Sequence, residues 1–371
     1  MPEKITRRRA PVATAVGVCS VALAMMATAS PAIAAGTGTV HQGPAPAPLT
    51  AHTIFSGSSH GWSSPDDLTS VGADLFVSFQ NGVPSTGGSI GTPSQSTIVK
   101  FKVDGTIEHT WQLTGKCDGL TADPAHHRVL ATINEDGNSS LYSLPATGGD
   151  AATHYTYDAN PLPHGGGTDS ITIYHGRTYV AASAPVSGGP ALYQITLRRG
   201  IAHLAAAPFY DSSSATLANA GSKGASVNLA LTDPDSSTVV PRQSSRFAGD
   251  FMLDSQGDQQ AIFAAHLGGQ DQRLQVLNLS QSIDDTAFPT SDHGALLTTD
   301  STANSVVLIT GALRVGTAYA AVTAGDANTP GTNPAPNYLG TIDLATGTIS
   351  PVPTAGLPLA PHALIYLPNA S

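Results

Sequence analysis

Asp66-Asp67-Leu68-Thr69, Asp118-Gly119-Leu120-Thr121 and Asp169-Ser170-Ile171-Thr172 share one form, Asp-x-aliphatic-Thr, at separations of 52 and 51 residues. Asp250-Phe251-Met252-Leu253 and Asp284-Asp285-Thr286-Ala287 echo it more weakly. A second pattern, an apolar run, a polar turn and another apolar run, occupies residues 130–142, 229–240 and 296–308. From Ala51 onward no helical periodicity develops. Short runs rich in β-branched and aromatic residues recur instead, as at 75–79, 97–103, 178–182 and 274–279, separated by Gly, Pro, Asn, Asp and Ser. That is the pattern of an all-β chain. A unit of roughly 50 residues repeating along such a chain is how the four-stranded blades of a β-propeller read in sequence.

The expectation is therefore a single β-propeller over residues 51–371. Hairpins near residues 76, 130, 179, 229, 262, 296 and 319 suggest seven blades, and because the spacing compresses after 229, six or eight also fit. A ring needs its ends fastened to remove exposed edges, so a strand near Thr53–Phe55 is expected to pair with one near residues 362–367.

Lys4, Arg7, Arg8 and Arg9 run into an uncharged stretch that closes with Ala32-Ile33-Ala34, the basic, apolar and small-residue order of a cleavable secretory signal. Its apolar core is short and holds Gly17 and Ser20, which argues against a retained membrane anchor. The domain expectation is a signal over 1–34, a Pro- and Ala-rich tether over 35–50 and the propeller beyond, in a secreted, extracellular and monomeric product. Cleavage would leave 12 basic and 25 acidic residues, about −13, and an acidic surface excludes nucleic acid and anionic membranes as partners. It would also leave Cys117 as the single cysteine, read as a buried apolar residue in a chain stabilised by its core rather than by disulfides. The low lysine content and the abundance of Ala, Gly, Ser and Thr point to a bacterial source.

The segment Thr299-Asp300-Ser301-Thr302-Ala303-Asn304-Ser305-Val306 resembles the strand, Asp, turn, Asn, strand signature of an NHL blade. On it the chain resembles the broad group of NHL, YncE-like and gluconolactonase-type propellers. The resemblance implies a functional centre in the top-face funnel, which in gluconolactonase-type members holds a metal on a Glu, Asn and Asp set from inner strands. Here Asn134 and Glu135 fall in a turn, so that set does not transfer, and the His and Glu pair of streptogramin lyases finds no secure counterpart.

In such a ring the motif aspartates would begin the innermost strands, and the turns carrying Asn134, Glu135, Asp136 and Asn138, Asp233 and Asp235, and Asp300 and Asn304 would share their face. Converging carboxylates repel one another and raise each other's pKa unless a cation compensates. Ca²⁺ or Mg²⁺ on Asp66, Asp118, Asp169 and Asp250 would do so. The competing reading is that these aspartates bond backbone amides of the next blade. His60 and His164, six and five residues before motif aspartates, are the candidate bases, and His362 opens the last strand, although loop histidines are commonly only solvated. Gly-x-Ser-x-Gly at 57–61 and 87–91 lacks the following helix that a nucleophile elbow needs. No phosphate loop or paired-Cys zinc motif is present. Two functions follow: a module that binds a small molecule, glycan or protein in the funnel, or a metal-dependent lactonase- or lyase-like enzyme there.

Overall fold

The computed structural model describes residues 48–88, 94–323 and 337–369; the expected signal and most of the tether lie outside them. The described chain is built of strands joined by turns and three short 3-10 segments, and no helix in it is long and apolar enough to cross a membrane. The strands form six blades around a central channel. Their innermost strands are Pro65–Val71, Cys117–Asp123, Thr168–Tyr174, Pro234–Val239, Ile283–Ala287 and Pro361–Leu367. Each packs beside the next in that order, and the last packs against the first. The fold is an all-β propeller, with six blades in place of the expected seven.

Blade 1 is a plain antiparallel meander: Pro65–Val71, Asp74–Phe79, Gln95–Phe101 and Ile107–Thr114. Blades 2 and 3 repeat it, and their outer edges fuse where Thr156 and Tyr157 pair in parallel with Ile201 and Ala202. Blade 4 carries an added hairpin, Ser214–Leu217 with Ser226–Asn228, whose first strand pairs in parallel with Arg273–Asn278. The apolar run near residue 229 belongs to the approach to blade 4 rather than to a blade of its own. This is the source of the seventh in the sequence count.

After the inner strand of blade 5 the chain crosses to blade 6 for the hairpin Ala295–Asp300 and Ser305–Thr310. It returns to complete blade 5, then ends in blade 6. Blade 6 is closed by Leu49–Ser56, which pairs with Ser305–Thr310, while Pro361–Leu367 pairs with Ala295–Asp300. The first and last strands thus share a sheet as expected, but the hairpin stands between them, so they do not pair directly. The first strand starts at Leu49, two residues inside the expected tether.

Both faces of most blade strands are buried, which is why they read as continuous apolar runs. Six hydrophobic clusters fill the six joints between neighbouring blades. In the strand Asp74–Phe79, for example, Leu75, Val77 and Phe79 face blade 6 while Phe76 faces blade 2. Cys117 is fully buried in the joint of blades 1 and 2, and burial pushes its thiol well above the ordinary value.

Candidate functional site

One irregularity recurs in every blade. In blade 1, Pro65 pairs with Phe79 and Leu68 with Val77, so Asp66 and Asp67 together oppose the single residue Ser78. The same step occurs between Cys117 and Leu120, Thr168 and Ile171, Pro234 and Ser237, Ile283 and Thr286, and Pro361 and Leu364. A bulge of this kind bends the strand and re-aims a side chain. Its first residue is Asp66, Asp118, Asp169, Asp235, Asp284 and His362 in turn, and all six line the channel, a cavity of about 530 Å³. Thr69, Thr121, Thr172 and Thr238 line it further along the same strands.

The second bulge residue is structural. In blades 1, 2 and 6 its N–H donates to a hydroxyl of the neighbouring strand: Asp67 to Ser78 Oγ at 3.0 Å, Gly119 to Thr132 Oγ1 at 2.8 Å and Ala363 to Thr299 Oγ1 at 3.0 Å. In blades 1 and 5 this residue is itself an aspartate and clamps the next blade. Asp67 accepts from the Leu120 N–H, and Asp285 accepts from the Leu364 N–H at 2.7 Å. The backbone-bonding role considered for the motif aspartates therefore falls to Asp67 and Asp285, leaving Asp66 and Asp284 to the channel. Gly119 has no alternative, since a Cβ there would stand 2.8 Å from the carbonyl oxygen of Asp169.

Nine carboxyl groups line the channel: Asp66, Asp67, Asp118, Glu135, Asp169, Asp233, Asp235, Asp284 and Asp285. Lys116 and His362 are the cations that face them. Lys116 Nζ bridges Asp118 Oδ1 at 2.9 Å and the Glu135 carboxylate. Burial opposes its charge, but Asp118, Glu135 and Asp66 outweigh burial and raise its pKa above the ordinary value. His362 Nδ1 stands 2.6 Å from Asp284 Oδ2 and 3.8 Å from Asp66 Oδ1. Here too burial is overcome by the carboxylates, and the imidazole is held protonated with a pKa of about 10. Gln80 Nε2 donates to Asp118 Oδ1 at 3.2 Å and Gln256 Nε2 to Asp284 Oδ1 at 3.1 Å.

Both cations stand on the side of the ring formed by blades 6, 1 and 2. On the opposite arc, burial first and then Glu135 and Asp118 hold the Asp169 carboxyl well above its ordinary value. Burial, Asp284 and Asp169 do the same to Asp235. Burial lifts Asp66 to about 6 against the pull of His362 and Lys116, and Asp285 to about 7 against its backbone hydrogen bonds. The channel thus holds several carboxyls whose pKa burial and mutual repulsion raise, and positive charge entering it would lower them again.

Of the sequence candidates, Asp66, Asp118, Asp169, Glu135 and His362 meet in the channel. Asp250 does not. It precedes the second strand of blade 4, beside Phe251, which pairs with Val239 at the far end of the inner strand, so it lies on the opposite face. Asp235 holds the ring position in that blade. His60 is exposed and stacks on Trp62 with ring centroids 4.6 Å apart, away from the channel lining. His164 is fully buried, its Nδ1 2.8 Å from the Tyr193 hydroxyl, and burial lowers its pKa, making it a neutral packing group outside the lining.

Asn134, Asp300 and Asn304 fix turns on the channel's top face. Asn134 Oδ1 accepts from the Lys116 N–H at 2.9 Å, Asp300 accepts from Ala303 and Ala360, and Asn304 Nδ2 donates to the Trp62 carbonyl at 2.8 Å. Ser59, in the first Gly-x-Ser-x-Gly match, donates to the Ser56 carbonyl at 2.7 Å on the surface; the second match lies partly outside the described residues. Lys116, Asp235 and Asp284 are ring residues that sequence reasoning did not single out as ligands. Asp284-Asp285-Thr286 carried the signal in its likeness to Asp66-Asp67-Leu68.

Among the described residues no three His, Cys, Asp or Glu side chains are grouped so as to hold a metal ion. The ring carboxyls are spread around the channel, and Lys116 and His362 supply positive charge directly to it.

No protein-family profile and no curated protein matches this chain. Among solved structures it is similar to a protein of unknown function from Bacteroides thetaiotaomicron, with 11% identity, a TM-score of 0.49 and coverage of 86% of this chain and 71% of that one. The periplasmic gluconolactonase of Pseudomonas aeruginosa is similar at 13% identity and a TM-score of 0.45, covering 82% of this chain and 88% of that one. A streptogramin B lyase is similar at 14% identity and a TM-score of 0.41, covering 85% and 76% respectively. At such identities the likeness concerns the fold alone.

Proposed function

We propose that this protein binds a small organic cation, an amine or guanidine, in its central channel. The observation that carries the reading is the uneven charge of the ring: nine carboxyls line the channel, and the ion pairs of Lys116 and His362 reach Asp118, Glu135, Asp66 and Asp284 but neither Asp169 nor Asp235. A buried carboxyl gains most from a donor that brings charge and hydrogen bonds together. An ammonium group near Asp169 and Asp235 would do both, and a cavity of about 530 Å³ accommodates a small molecule rather than a bare ion. The leader-like residues 1–34 support a protein that meets its ligand outside the cytoplasm.

The second reading is a Ca²⁺- or Mg²⁺-dependent lactonase- or lyase-like reaction at the same ring. In its favour, Oδ2 of Asp118 is buried without a hydrogen-bond partner, a position that an ion or a water could fill.

Calorimetric titration of the full chain with 1,4-diaminobutane, agmatine and Ca²⁺, each before and after EDTA treatment, separates the two. Binding of an amine that survives EDTA and is lost in Asp169→Asn/Asp235→Asn supports the organic-cation reading. Calcium binding without amine binding would overturn it in favour of the ion.

A further inference from the structure

A second cavity, of about 310 Å³, opens beside the outer strands of blade 2 and shares no lining residue with the channel. One wall is an aromatic step. Tyr142 and His154 are cross-strand partners on Ser140–Pro145 and Thr153–Tyr157, with ring centroids 4.6 Å apart and planes tilted by 35°. Facing it is the segment from Asn160 to Leu162, with Gly165 and Gly166 beyond.

The chemistry of the lining is the reverse of the channel's. No aspartate, glutamate, lysine or arginine contributes to it. Burial lowers the His154 pKa, so the imidazole is neutral at ordinary pH. Part of the polar lining is committed to the fold: Ser139 Oγ accepts from the Thr168 N–H at 3.0 Å, and Asn134 Nδ2 donates to the Asn138 carbonyl at 3.2 Å. The Tyr142 hydroxyl, the His154 ring nitrogens and the Asn160 side-chain amide, by contrast, have no hydrogen-bond partner among the described residues. They surround the cavity with neutral donors and acceptors beside an aromatic face.

We propose that this cleft is a binding site, separate from the channel, for a neutral sugar ring such as a pyranoside unit of a glycan. A pyranose presents C–H groups on one face and hydroxyls around its edge. The Tyr142 and His154 rings would cover the face, and the Asn160 amide with the Tyr142 hydroxyl would meet the edge. A charged ligand would find no counter-ion there. The cavity volume falls at the small end of ligand sites, in keeping with one ring held at a time.

Saturation-transfer NMR on the full chain tests this with methyl β-D-glucopyranoside, methyl α-D-mannopyranoside and methyl N-acetyl-β-D-glucosaminide. At least one is expected to receive saturation on its ring C–H protons, undiminished by excess 1,4-diaminobutane. Affinity should fall about fivefold or more in Tyr142→Ala and in His154→Ala, the loss expected for one aromatic contact. Tyr142→Phe keeps the ring and should retain transfer, which separates loss of contact from loss of fold. Transfer to none of the three sugars, transfer unchanged in both alanine variants, or transfer displaced by the diamine would overturn the assignment.

Discussion

Raising the pH from about 4.5 to about 7.5 should weaken this protein, the reverse of the trend that paired carboxylates usually give. Burial holds the Asp66 carboxyl at about 6 and the Asp285 carboxyl at about 7, against 3.8 for the ordinary group. Below 3.8 both are protonated in the folded and unfolded states alike. Between 3.8 and the folded values, the folded protein keeps a proton that the unfolded chain has released. The stability these groups contribute is therefore complete below the unfolded value and is lost as pH rises through 6 to 7.

For Asp66, a window of about 2 pH units at ~1.36 kcal/mol per unit amounts to at most about 3 kcal/mol. Neighbouring carboxyls and His362 titrate with Asp66 as one coupled set, so a net loss on the order of 2 kcal/mol is expected. His362 has the same sign: with a pKa of about 10 against 6.5, its contribution is complete below 6.5 and lost as pH rises through 10. Asp74 and Asp123 are held below 3.8 by basic partners and act only in more acidic solution, outside this window. Urea unfolding across the range reads the effect directly. The midpoint should fall with rising pH, and Asp66→Asn, which cannot ionise, should remove about one proton's worth of the slope. A midpoint that rises between about pH 4.5 and 7.5, or a slope unchanged in Asp66→Asn, would refute the assignment of buried, proton-holding carboxyls to the ring.

The other expectations concern single residues. Asp285→Ala removes the acceptor that the Leu364 N–H reaches across the joint of blades 5 and 6, and should cost about 1–3 kcal/mol in urea unfolding; an unaltered midpoint would show that the clamp contributes nothing. His164→Ala should lose about 2–4 kcal/mol of stability through its cavity and the lost Tyr193 contact while amine binding persists. Loss of amine binding in a folded His164→Ala protein would return that histidine to the functional site. The Cys117 thiol should stay unreactive to aromatic disulfides in the native protein and react at once in urea, and rapid native reaction would contradict its burial.

The inner strands were legible where the bulge carries the full motif. Asp66, Asp118 and Asp169 each precede an aliphatic residue that enters a joint between blades and a threonine that faces the channel, so three inner strands share one pattern. Elsewhere the same backbone position is held by other residues. Ser237 and Thr286 replace the aliphatic in blades 4 and 5, and His362 replaces the aspartate in blade 6. The backbone register conserves the bulge, while the side chain after it has only to fit its own joint.

Asp250 misled because Phe251-Met252-Leu253 is a buried strand with the right polarity pattern but in second place, running back toward the other face. Blade number was hidden by the apolar run near residue 229, which leads into blade 4 without forming a sheet of its own, and blade order by chain crossing. The hairpin of blade 6 interrupts blade 5, compressing two units into one another, and no local pattern marks which sheet a hairpin will join. Lys116 was silent for a related reason: its role depends on Asp118 and Glu135 meeting across the start of blade 2, a tertiary fact.

The central claim is that positive charge completes the arc of Asp169 and Asp235. It is tested most directly by counting protons released when 1,4-diaminobutane binds, from calorimetric titrations near neutral pH in two buffers of different ionisation enthalpy. Carboxyls that hold protons in the free protein should ionise beside the diamine, so the heats should differ between buffers by a net release approaching one proton, and Asp169→Asn/Asp235→Asn should abolish it. Binding with no proton release, or release that persists in the double variant, would contradict the account.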